Sequence, residues 1–138
     1  MVGCAKNNSD NFKEVDKSMK IIIDNYEYVV NLENNNTVSE LIDLLPLEVN
    51  MTELNGNEKY VYLDKELSTN SSNPKHINAG DVMLFGDDCL VIFYKSFDTN
   101  YSYTKIGHIT NLEDLGNNNV AKIAYFVQYL IIATLIVK

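Results

Sequence analysis

The chain has 138 residues, 46% of them hydrophobic, and a formal charge of −8 at neutral pH. That length and apolar content suit one domain with one core and exclude wholesale disorder, while the acidic balance repels a phosphate backbone, so no nucleic-acid partner is expected. All eleven cationic side chains are lysines; without arginine the chain lacks the planar fork used to grip carboxylate, phosphate or a polarised carbonyl.

Residues 1–18, MVGCAKNNSDNFKEVDKS, are polar without periodicity and read as a flexible N-terminal arm. Inside it, Gly3-Cys4-Ala5 and the polar run after it resemble the junction at which bacterial lipoproteins are lipidated on cysteine. The charged and apolar segments that precede such a junction are missing. Two readings stand: lipid attachment at Cys4 with the true start upstream, which implies an extracytoplasmic membrane anchor, or a chance match on a cytoplasmic chain.

KIIIDNYEYVVNL (20–32) predicts a hairpin turning at Asp24-Asn25, with Tyr26, Tyr28, Val30 and Leu32 on one buried face. TVSELIDLLP then changes period. Val38, Leu41, Ile42 and Leu45 form a helical stripe over about residues 37–45, with Thr37 and Glu40 as a capping box and Pro46 as the stop. Alternation returns in LEVNMTEL, where Leu47, Val49 and Met51 point inward, and Asn55-Gly56 turns the chain into KYVYL.

Residues 64–78 form a long polar loop, a length at which loops are often functional or mobile. AGDVMLFGDDCLVIFY reads as strand, Gly86-Asp87-Asp88 turn, strand, at the centre of a sheet. Cys89 in that run is expected to be a small buried hydrophobe, not a disulfide partner of Cys4, and no Cys/His spacing suits zinc. No cofactor is expected. His76 and His108 have no evident nucleophile nearby and read as solvated or hydrogen-bonded, while Asp81, Asp87 and Asp88 read as turn residues without calcium-loop spacing. Ser96, Ser102 and Thr104 have no partner base.

In FYKSFDTNYSYTKIGHI, residues 93–96 and 104–109 are expected to pair as strands, with 97–103 connecting them. Two readings of the connection stand. Phe97, Tyr101 and Tyr103 plug one end of the fold, or Tyr94, Phe97, Tyr101, Tyr103 and Thr104 line an aromatic cleft for a peptide or flat small molecule. NLEDLG (111–116) predicts one helical turn capped by Asn111. Many short, evenly spaced strands with one helix point to a mainly β fold, a closed or nearly closed small barrel.

LNGNEKY, AGDVMLFG, LVIFYKSF and YSYTKIG together resemble the bacterial cyclophilin-like family, from about Lys20 to about Gly116. The resemblance implies a closed eight-stranded β-barrel with one main α-helix and no settled activity. Cyclophilin isomerases twist an X-Pro amide over a barrier of roughly 18–20 kcal/mol, aided by a guanidinium near the proline nitrogen. A chain with no arginine is therefore expected to be a non-catalytic ligand- or partner-binding module, with weak peptidyl-prolyl isomerisation in the same cleft as the alternative.

The division is thus 1–18 arm, 19–119 barrel domain and 120–138 apolar tail. The tail, VAKIAYFVQYLIIATLIVK, departs from the short closing strand and polar end implied by the family. A barrel-edge strand over 120–127, a membrane segment flanked by lysines and a frame-shifted end are its three readings. Oligomeric state has no signal here.

Overall fold

The computed structural model describes residues 12–113, 115 and 119–131. Cys4, and with it the lipid-attachment reading, lies outside the described residues, as does the tail past residue 131. The elements are strands β1 (Phe12–Ile23) and β2 (Tyr26–Leu32), helix α1 (Asn36–Asp43), and strands β3 (Leu47–Asn50), β4 (Thr52–Leu54) and β5 (Glu58–Tyr62). Then come β6 (His76–Ile77), β7 (Asp81–Phe85), β8 (Cys89–Phe93), β9 (Phe97–Asp98), β10 (Thr104–Ile109) and β11 (Val120–Ile131).

Nine strands form one antiparallel sheet in the order β3-β11-β1-β2-β10-β7-β8-β5-β4. Its two edges, β3 and β4, are separated in the chain only by Met51. One bent segment therefore belongs to both edges and wraps the sheet into a nearly closed barrel; with β3 and β4 taken as one bent strand the staves number eight. Closure of this kind removes exposed edges that would otherwise invite pairing. The β1–β2, β4–β5 and β7–β8 turns carry the left-handed residues that tight hairpins need: Asp24 and Asn25 (φ 55° and 65°), Asn55 and Gly56 (57° and 67°), and Gly86 (63°).

Alternation along each strand sorts side chains between two apolar clusters. Met19, Ile21, Tyr28, Val30, Leu84 and Ile92 are among those filling the barrel interior, joined by Val38 and Leu41 from α1. On β7 and β8 the other face is covered as well. Met83, Cys89, Val91 and Phe93 are buried outside the barrel, against Ile77 and Tyr103. All five residues of β8 are buried, which explains its unbroken apolar run. The cover is the loop from residue 64 onward and the 95–103 connection. They are tied together by the β6–β9 ribbon and by a bridge between Ser72 and Tyr103, and tied to the barrel by Leu67 N–H donating to Asp87 O (2.7 Å) and Asn70 N–H donating to Thr104 Oγ1 (3.0 Å).

Several local expectations are corrected. The helix cap is Asn35, whose side chain accepts from Val38 N–H at 2.8 Å; Thr37 lies inside the helix and donates to Ser68 O, while Glu40 accepts from Ser68. The capping-box pattern was thus spent on holding the long loop. Residues 93–96 do not pair with 104–109: β8 lies between β5 and β7, and β10 between β7 and β2. Among the described residues Asn111 caps no helix; its Oδ1 accepts from Val29 N–H and its Nδ2 donates to Glu27 O, both at 2.9 Å, so it fastens β2. β1 begins at Phe12, inside the stretch read as an arm, because pairing with β11 satisfies its backbone whatever its side chains. Val120–Ile131 is strand β11, hydrogen-bonded to β1 and β3. Among the described residues no helix is long and apolar enough to cross a membrane.

Candidate functional site

The outward faces of β5, β7 and β8 and the 97–103 segment enclose an open cavity of about 800 Å³ on the outside of the barrel. β5 presents Tyr60 and Tyr62, two residues apart and so on one face, with rings 5.9 Å apart and nearly perpendicular. β7 ends in Phe85, whose ring meets those of Tyr101 (5.8 Å) and Tyr103 (5.6 Å). Cys89 and Val91 of β8 and Phe97 of β9 complete the apolar lining. Phe93 lies beneath, in contact with Phe97 (5.6 Å) and Tyr103 (5.4 Å). Edge-on packing of this kind fixes ring positions.

The charged side chains in the lining are Glu58 and Asp98, and no lysine is among them. Burial, and then the neighbouring Glu53, raise the Glu58 carboxyl above its ordinary value. Burial also raises the Tyr103 hydroxyl, with Glu58 adding to the shift, and pushes the Cys89 thiol up to about 11, with Asp88 and Glu58 contributing. In all three groups burial is the larger cause and a neighbouring carboxylate adds to it. Asn57 Oδ1, in the same lining, is buried with no hydrogen-bond partner among the described residues, a rare state for a buried acceptor. A thiol at about 11 is protonated at neutral pH, so Cys89 is a hydrophobe here and not a nucleophile.

Of the five residues proposed from sequence, Phe97, Tyr101 and Tyr103 share this cavity. Tyr94 does not: its hydroxyl donates to Glu53 and its ring packs against the interior cluster. Thr104 is 1% exposed and accepts from Asn70. The connection plugs no barrel end, because Phe97 and Tyr103 lie on the outer face. The two tyrosines differ: Tyr103 is 6% exposed and Tyr101 65%. Sequence reading missed Tyr60, Tyr62, Phe85 and Glu58. The signal was KYVYL, where an inward Val61 requires both tyrosines to point out.

A smaller cavity of about 350 Å³ is bordered by both His76 and His108, which sequence reading had not brought together, with Glu33, Asp81 and Lys105. His76 Nδ1 lies 2.7 Å from Asp98 Oδ1, and His108 Nδ1 2.9 Å from Asp81 Oδ1. Asp81 also accepts from Asn78 N–H, as a turn aspartate does. No serine, threonine or cysteine borders this cavity. Among the described residues no group of three or more His, Cys, Asp or Glu could hold a metal ion. Ser96 Oγ accepts from Ala79 N–H.

A model of the family described as cyclophilin-like matches residues 21–127, which carries the similarity past Gly116 and into β11. No curated protein and no solved structure matches the chain.

Proposed function

The chain belongs to the cyclophilin-like family, and on that premise we propose that it is a non-catalytic binding module whose ligand enters the aromatic cleft on the outer face of the barrel. The observation that carries this reading is the make-up of that cleft: six tyrosine or phenylalanine rings, two carboxylates and no cation in its lining. Aromatic walls with a few polar groups are the usual make-up of a ligand site, and 800 Å³ falls in the usual range of roughly 300–1,000 Å³. Prolyl isomerisation asks for something else, a fixed positive group at the twisting amide. The chain has no arginine, and the lysine side chain lacks the planar fork.

The test is an NMR titration with proline-containing peptides and flat aromatic fragments, read at the tyrosine rings, with exchange spectroscopy on the peptide's cis and trans forms. Saturable shifts at Tyr60, Tyr62 and Tyr101 with unchanged isomer exchange are expected. Exchange accelerated well above the uncatalysed rate establishes the alternative, a weak isomerase. Absence of any shift at those rings rejects the cleft as the ligand site.

A further inference from the structure

We propose that the cleft selects a positively charged ligand, a small organic cation bearing a substituted ammonium group. This inference rests on the cleft being a ligand site and names the class of ligand it takes. Tyrosine and phenylalanine faces carry negative quadrupoles that attract a cation within about 6 Å of the ring centre. Here Tyr60 and Tyr62 stand on one side and Phe85 and Tyr101 on the other, so two ring pairs front a single cavity. Tyr62 and Tyr101, 64% and 65% exposed, keep their faces open to an incoming group.

Charge points the same way. Glu58 is half-buried in the lining, and no lysine forms a salt bridge with it among the described residues. Asp98 is engaged by His76 from the neighbouring strand. Asn57 Oδ1 adds an acceptor with no local donor to quench it. A carboxylate held in a partly dry aromatic pocket is unfavourable until a cation arrives, and an ammonium group meets both the carboxylate and the rings. The net charge of −8 draws cations to the surface and repels anions. A neutral ligand of the same shape would leave Glu58 desolvated and unpaired.

The experiment is isothermal titration of the full chain with choline and with its neutral isostere 3,3-dimethylbutan-1-ol, at low and high salt. Choline should bind at least tenfold more tightly than the isostere and weaken as salt rises. Glu58→Gln and Tyr101→Ala should each weaken choline binding at least fivefold, and melting temperatures no lower than the parent's would show that the fold survives. Equal binding of choline and isostere overturns the cation inference while leaving the cleft a ligand site. A lack of heat with choline, alongside saturable shifts from the peptides or fragments, also overturns it and leaves the broader reading intact. Tighter binding of a lysine-containing peptide than of choline would overturn the assignment to a small molecule.

Discussion

Tyr101 and Tyr103 sit two residues apart in one loop, yet alanine at the two positions should have opposite consequences. Tyr103 is 6% exposed, its ring 5.4 Å from Phe93 and 5.6 Å from Phe85, and its strand-like backbone pairs with Ser72 through two hydrogen bonds of 2.9 and 3.0 Å. Tyr103→Ala removes a large ring from a close-packed cluster that the flanking loops cannot easily refill, a change that costs about 3–5 kcal/mol. For a chain of this length that is a melting-temperature drop of roughly 10 °C or more. Tyr103→Phe keeps the ring and loses only the hydroxyl, which should cost about 1 kcal/mol or less. Tyr101→Ala should stay within about 0.5 kcal/mol of the parent, as exposed positions do, while abolishing ligand shifts in the cleft. Urea and thermal unfolding followed by circular dichroism measure all three. Equal losses for the two alanine variants would refute the division into a covering residue and a binding residue; a loss under 1 kcal/mol for Tyr103→Ala would show that the outer cluster is not cohesive.

Gly107→Ala should destabilise by about 1–3 kcal/mol, because an added Cβ would collide with Asn31 O, backbone of the paired strand β2; an unchanged urea midpoint would contradict the β2–β10 pairing. Asn111→Ala deprives the Val29 N–H of its acceptor and should cost about 1–3 kcal/mol in the same assay, with Asn111→Asp recovering part of the loss. Because the Glu58 carboxyl is raised in the folded state, its ionisation opposes folding above that raised value and is silent once both states are protonated. Glu58→Gln should therefore melt higher than the parent at pH 7, with the difference vanishing as pH falls through the raised value and the ordinary carboxyl range; a difference that grows toward acid would reverse the sign. In a Cys4→Ser background, Cys89, with its thiol at about 11, should react with a disulfide reagent at pH 8 on the order of a hundredfold more slowly in the native protein than in denaturant, and equal rates would show that it is not shielded.

The sequence by itself determined most of the longer strands and where the hairpins turn, though not that β1 starts inside the polar arm or that β6 and β9 pair within the loops. Asp24-Asn25, Asn55-Gly56 and Gly86 turn the chain because only a left-handed backbone closes a tight hairpin, and that requirement is written in adjacent residues. The alternation in β2 and the helical stripe Val38-Leu41 are equally local, and the joint motif carried the family. Pairing partners are not local. Nothing in FYKSF or TKIGHI says that β7 comes between them, and nothing in LEVNMTEL says that its halves lie at opposite edges of the sheet. Nor does the run CLVIF reveal that its second buried face looks outward, under a polar loop. The cleft is a product of those long-range choices: Tyr60, Phe85 and Tyr101 converge because three strands and a connection far apart in sequence share one outer face. Alternation assigns each side chain a face, but only the folded sheet decides what covers that face and what is left open beside it.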